Sequence, residues 1–233
     1  FPEILSSLYM ESSNKSILIV FGLKKELEIL DPSTKVRAFF GFGKNSSFLI
    51  NKYITKETKV VINLGFCGSI DNEVQCGEIV EAKMIFNESK KKVIPRKYNN
   101  TLIEKKIKKL GLKKLNLLTT NNVKSLSEKI DIKKKNDHIS LIDMEAFHIL
   151  KALGNKKISF FSIKLVYDDL SFGIPEYISK TLDKDGGFIF NYIFFKNVLT
   201  NPLRVIELIK LGLKFNFCKR KFRTLLKELF NTS

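Results

Sequence analysis

Short apolar runs and amphipathic stretches take turns along most of this chain, and that alternation restricts the fold more than any other feature. "ILIVF" (17–21), ended by Gly22, has the length and composition of a buried strand. A helical stretch follows at "KKELEIL", then a strand near "VRAFF", the turn "GFGKNSS", and a helix at "FLINKYI". "VVINLGFCGS" reads as a strand running into a Gly-bounded loop, and "EIVEAKMIF", "LNLLTT", "HISLI" and "ISFFSIKLV" supply further strands. Between them lie the helical stretches "TLIEKKIKKLG", "KSLSEKI" and "MEAFHILKALG", the first and last closing on a Gly suited to end a helix. Consecutive buried strands separated by helices predict a layered α/β/α fold around a mixed, largely parallel sheet. Ligands of such sheets sit where loops leave the strand ends. Residues 1–172 account for this pattern as one domain.

After "YDDLSFGIPEY" the alternation stops, and residues 173–233 read as a helical extension packing on that domain, with Pro202 as punctuation. Its end is basic and amphipathic. Cys218, Phe222, Leu225, Leu226 and Leu229 recur at helical spacing on one face, while Lys219, Arg220, Arg223 and Lys227 take others. Gly212 and Asn216 are expected to interrupt a single long helix, limiting any interfacial helix to the final turns.

A chain of 233 residues, 44% hydrophobic, can build one substantial core. No apolar run approaches the ~18 residues of a spanning helix. The opening "FPEILSSLYMESSNKS" lacks a basic-then-apolar signal pattern and reads as a lead-in. Cys67, Cys76 and Cys218 form no CxxC pair, which suits a reducing cytoplasm, and with only His138 and His148 beside them no metal site is expected. The formal charge of +17 has two readings. Lysine runs such as Lys90–Lys92 and Lys133–Lys135 are expected to be solvated loops, or the charge attracts a polyanion, nucleic acid or an anionic bilayer. Basic motifs interleaved with aromatics are absent, so no nucleic-acid partner is expected.

One stretch demands chemistry. "SLIDMEAFHIL" is apolar almost throughout yet carries Asp143 and Glu145, and buried acids are costly without partners. Asp143 is placed to cap the following helix. "FGLKKELEIL", "GFGKNSS", "VVINLGFCGSID…CGEIVEA" and "IDMEAF…SIKLVYDDLS", in this order, resemble the nucleoside phosphorylase and nucleosidase superfamily, which includes the methylthioadenosine/adenosylhomocysteine nucleosidases. The resemblance runs from about Ile17 to Ser171, and "DDLSFGIPEYISKTLDKDGG…NPLRVIELIKLGLK" looks like the end of the hopanoid-associated phosphorylase subgroup.

The resemblance implies cleavage of the N-glycosidic bond of a purine nucleoside, an adenine nucleoside such as adenosylhopane, with no cofactor beyond inorganic phosphate as a co-substrate. It implies a homo-oligomer, and a lipid-linked substrate would bring the basic C-terminal helix to the inner face of the membrane. By the same resemblance, Glu145 faces the ribose hydroxyls with Met144 against the sugar. Asp168 takes the purine-facing position and Glu26 handles the attacking water. Gly65, Phe66, Cys67 and Gly68 line the sugar and nucleophile side. On residue type alone, Asp168 is a carboxylate ending a strand and Glu26 a solvated first-turn acid.

The chemistry asks for such groups. Breaking the bond leaves positive charge on the ribosyl carbon and negative charge on the purine, so an acid at the purine and a carboxylate at the sugar both help. Four positions depart from the family pattern. Asn63 and Phe66 stand where phosphorylases carry the Arg and Ser that contact phosphate, leaving Lys24, Lys25 or Lys44 as substitutes and favouring hydrolysis. Tyr167 occupies a position that is usually small, and Lys164 one that is often Arg. The competing class is a catalytically inactive membrane- or RNA-binding relative of the same fold, against which the presence of Glu145 and Asp168 argues.

Overall fold

The computed structural model describes residues 15–98, 101–179 and 201–230. Its elements follow in chain order. They are β1 (Ile17–Phe21), α1 (Lys24–Leu27), β2 (Arg37–Phe40), α2 (Asn45–Tyr53), β3 (Val60–Ser69), β4 (Ile79–Asn87), β5 (Lys92–Val93) and α3 (Leu102–Lys109). Then come β6 (Lys113–Thr119), α4 (Leu126–Lys135), β7 (Leu141–Asp143), α5 (Ala146–Leu153), β8 (Ser159–Asp168), α6 (Glu176–Ser179) and α7 (Pro202–Phe230). The result is a mixed α/β fold with a central sheet and a C-terminal helix, as the alternation predicts.

Strands β2, β1, β3 and β8 pair in parallel, and β6 runs parallel to both β4 and β7. β4 pairs antiparallel with β8 and β5, and β7 meets the end of β3 antiparallel. Pairing therefore closes a circuit, β3 to β8 to β4 to β6 to β7 and back to β3, which removes edges from that part of the sheet.

Period-two alternation splits the strands between two apolar layers. Ile19, Phe21, Ile62, Leu64, Phe161 and Ile163 face α3 and α7, with Ile103, Ile107, Phe222, Leu225, Leu226 and Leu229 packed on them. Leu18, Val20, Val61 and Phe160 face α2 and α5, meeting Ile50, Phe147, Ile149 and Leu150.

Three local expectations are corrected. Lys133–Lys135 form the last turn of α4 rather than a loop, where basic side chains oppose the negative end of the helix dipole. Lys92 opens β5, so only the preceding turn, with Lys90 at φ 58°, is a loop. Residues 202–230 form one helix of 29 residues that neither Gly212 nor Asn216 interrupts. A Cβ on Gly212 would meet nothing within 4 Å. That glycine costs only its intrinsic ~1 kcal/mol, against which Leu211, Cys218, Phe222, Leu225, Leu226 and Leu229 are all buried. The face assigned to a bilayer is thus spent on the protein's own sheet. Among the described residues, no helix is long and apolar enough to cross a membrane.

Candidate active site

Glu26 sits in the first turn after β1, and the chain there folds around its side chain. Oε2 accepts hydrogen bonds from the backbone N–H of Gly22 and of Leu23, both at 2.9 Å, and Oε1 accepts one from Phe66 N–H at 2.6 Å. Glu26 is 2% exposed, and burial outweighs these three donors, raising its proton affinity above the ordinary range. Gly65 makes room for it, since a Cβ there would lie 2.9 Å from Oε2.

Glu145 approaches the same place from the junction of β7 and α5. Its Oε1 accepts from Gly43 N–H at 3.2 Å, and a Cβ on Gly22 would stand 3.0 Å from its carboxyl. Glu26 and Glu145 therefore converge on Gly22. Between the acids lies Lys164, fully buried on β8, with Nζ 2.8 Å from Asp143 Oδ2 and 3.8 Å from Glu145 Oε2. Asp143 also accepts from Thr119 Oγ1 at 2.7 Å and from Ala146 N–H at 3.0 Å, which caps the start of α5. Asp143 and Glu145 share one ammonium out of water, and its charge also reaches Glu26. Burial, with Asp143 and Glu26 nearby, pushes Glu145 up to about 8, and the acids push Lys164 up to about 12.

Asp168 ends β8 on the far side. The β3–β8 register shifts so that Cys67 faces Val166 and Gly68 faces Asp168, leaving Tyr167 as the extra residue. Without that irregularity Tyr167 would stand opposite Gly68. A Cβ on Gly68 would lie 2.9 Å from Asp168 Oδ1 and 3.0 Å from Lys129 Nζ. Lys129, fully buried on α4, ion-pairs with Asp168 Oδ2 and donates to its backbone carbonyl at 3.2 Å. Burial raises the proton affinity of Asp168 while Lys129 opposes the rise. Gly65 and Gly68 are three positions apart on one strand, so ~10 Å separates the two ends of the site.

The other sequence candidates spread out. The Phe66 ring packs against Tyr167, Phe215 and Phe222 beneath α7, so Phe66 offers the site its backbone N–H only. Tyr167 turns the same way and donates its hydroxyl to Leu211 carbonyl at 3.1 Å. Cys67 is buried in the α2/α5 layer, where burial drives its thiol well above the ordinary range. Met144 is partly exposed beside Glu145, and Lys24, Lys25 and Lys44 are exposed. Asn63 is consumed within the sheet: Nδ2 donates to Val20 carbonyl at 3.2 Å and Oδ1 accepts from Ser162 at 3.2 Å. A cleft of about 390 Å3 is lined by Ser125, Leu126, Ser171, Phe172, Ile174 and Glu207, among others, next to the Lys129–Asp168 end.

Two contributors escape the sequence reading. Thr119 links Asp143 to the Phe147 N–H, which its Oγ1 accepts at 3.0 Å. Lys129 was hidden in "SEKIDIKKK", where it looks like one solvated lysine among several; the sequence carries no signal for it, since the apolar Leu126 and Ile130 are exposed while Lys129 is buried.

No protein-family model and no curated protein matches the chain. Solved structures do. A Helicobacter pylori 5′-methylthioadenosine/S-adenosyl homocysteine nucleosidase, complexed with a pyrrolidinol compound, superposes with TM-score 0.58 at 13% identity, covering 94% of this chain and 96% of that one. A protein described as a putative nucleosidase of the same kind from Borrelia burgdorferi, bound to adenine, gives 0.57 at 17% identity over 91% and 98%. Futalosine hydrolase of Helicobacter pylori gives 0.54 at 13% identity over 67% and 88%. At such identities the likeness is one of architecture, and the chain has the fold of these nucleosidases.

Proposed function

We propose that this protein hydrolyses the N-glycosidic bond of a purine nucleoside and releases adenine. The observation that carries the reading is the grouping of Glu26 and Glu145 about Gly22, with Asp168 set ~10 Å along β3 opposite Gly68. In the proposed reaction Glu145 holds the ribose hydroxyls. Asp168 delivers a proton to the departing purine, a role its raised proton affinity suits. Glu26, also of raised proton affinity, takes the proton of the attacking water. The adenine bound to the Borrelia neighbour and the nucleosidase activities named for the others support the same class.

Water is favoured over phosphate as nucleophile, because Asn63 is consumed by Val20 and Ser162 and the Phe66 ring packs under α7. Neither can contact a phosphate from those places. A bulky apolar 5′ substituent, as in adenosylhopane, rests on the C-terminal sequence resemblance. Peripheral contact with an anionic membrane would fall to the exposed Arg220, Lys221 and Arg223 and the half-buried Lys219.

The test is chromatography of the base and sugar released from methylthioadenosine, adenosylhomocysteine and 5′-alkyl adenosines, with and without phosphate. Free adenine with a reducing sugar, independent of phosphate, is the expected result. A phosphate-dependent sugar 1-phosphate would overturn hydrolysis, and no base release from any of them would overturn the activity. Asp168→Asn is expected to lower kcat ~100-fold or more; a rate within a few-fold of the parent would remove Asp168 from the chemistry.

A further inference from the structure

Cys76 lies in the loop between β3 and β4, and Cys218 in the middle of α7, 142 positions later, yet their sulfurs are 3.7 Å apart. Cys218 is fully buried, and its thiol also points at Val166 carbonyl at 3.8 Å. Cys76 is half-buried and so reachable from solvent. Two cations flank the pair. Lys214 is 26% exposed on α7, and Lys221 donates to Gly77 carbonyl at 3.1 Å. The third cysteine, Cys67, belongs to the opposite apolar layer and has no part in the arrangement.

We propose that Cys76 and Cys218 are a redox-active dithiol that a hydroperoxide converts to a disulfide joining the β3–β4 loop to α7. The nucleophile is Cys76, which the Cys218 thiol and Lys214 bring down to about 7, so that a large share is thiolate at neutral pH. Its sulfur attacks the O–O bond, taking OH to become a sulfenic acid while the alkoxide leaves and is protonated from water. Cys218 sulfur then attacks the sulfenic sulfur; the S–S bond forms, the S–O bond breaks, and hydroxide leaves as water with the Cys218 proton. Two thiols lose two electrons, and one hydroperoxide becomes one alcohol and one water. From their present separation the sulfurs need to close to ~2.0 Å. Both sit on a loop-to-helix contact rather than between two sheet strands, and the loop turns at Gly77 with φ 90°.

The bond would act next to the candidate site. Cys76 N–H donates to Asp169 Oδ2 at 2.9 Å, and Gly77 N–H donates to Val166 carbonyl at 2.7 Å, so the cross-link tethers Val166 and Asp169, which bracket Tyr167 and Asp168.

The full chain, reduced and then treated with equimolar hydrogen peroxide, tests this by denaturing alkylation, intact mass and peptide mapping. The expected outcome is one remaining thiol of the three, at Cys67, an intramolecular mass loss of two hydrogens, and a peptide pair linking Cys76 to Cys218. Cys67→Ser should form the same link. Cys218→Ser, which removes the resolving thiol, should stop at a Cys76 sulfenic acid that dimedone captures. Circular dichroism of both variants reports whether they fold. Three free thiols after peroxide, a link that involves Cys67, or dimers in place of the internal bond would each overturn the proposal.

Discussion

Lys129 fixes the charge that Asp168 meets before any purine arrives. A general acid must hold its proton, so the alkaline limb of the pH–rate profile follows its proton affinity. Lys129 lowers that affinity, and its removal lets burial act unopposed. Lys129→Met is therefore expected to move the alkaline limb of kcat/KM to higher pH. Lys129→Arg should leave it near the parent. Besides Lys129, Asp169 and Lys214 also act on Asp168, as it does on Cys67, Cys76 and Tyr167, and none of these residues is altered in the two variants. A uniform loss of rate with no movement of the limb would reduce Lys129 to packing. Glu145 gives the opposite kind of test, on stability. Its proton affinity is raised from 4.5 to about 8, so the folded chain holds this proton more tightly than the unfolded chain. The contribution is full below pH 4.5 and is lost as pH rises toward about 8. Between those limits the urea midpoint of the parent should fall with pH, and Glu145→Gln should flatten that fall. Parallel slopes for the two proteins would contradict the assignment.

At the scale of elements, β3 and α7 decide the most. β3 hosts Gly65 and Gly68, and its irregular pairing with β8 sets Asp168 rather than Tyr167 opposite the second glycine. The acid's placement thus depends on one strand's register, not on Asp168 itself. α7 closes the other layer. Phe222 is fully buried, edge-on to Phe21 at 6.2 Å and beside Phe66 at 5.7 Å. Phe222→Ala should destabilise the fold by about 3–5 kcal/mol, read as a lower denaturant midpoint. Because Phe66 N–H binds Glu26, the same variant should also weaken activity more than a surface change on α7 such as Arg220→Ala. Equal stability of the parent and Phe222→Ala would mean that α7 is a loosely attached tail.

The chain's formal charge is +17, and among the described residues most lysines are exposed, with Arg220, Lys221 and Arg223 of α7 beside them. The face of α7 that carries Cys218, Phe222, Leu225, Leu226 and Leu229 is buried, so attraction of that end to an anionic surface is electrostatic, at about 1 kcal/mol for each basic residue near the surface. Sedimentation with anionic vesicles should then vanish at high salt, and should weaken when Lys219, Arg220, Lys221 and Arg223 are all changed to Gln. Salt-resistant sedimentation would point instead to an apolar contact through Ile206, Ile209, Leu213 and Phe217, which α7 leaves exposed.

The order of strands and helices was legible because each element is written locally, as a short unbroken apolar run for β1 and β8 and as a period near 3.6 for α3 and α5. So was the oddity of Asp143 and Glu145, since acids in an apolar stretch are costly whatever surrounds them. Glycine positions and their carboxylates could be listed, but not joined. The ammonium between Asp143 and Glu145, the lysine on Asp168 39 residues away, and the sulfur pair across 142 all depend on contacts distant in sequence. Lys129 and Lys133 look alike in the chain, and only packing puts one fully inside on a carboxylate and leaves the other partly in water. The continuity of α7 is the same case in reverse. Gly212 weakens a helix taken alone, whereas five apolar side chains buried on the sheet, with Leu211 buried against Ile178, hold it together. Propensity is a property of neighbours along the chain; the cost of burying a charge, and the gain from burying a face, exist only once the layers have closed.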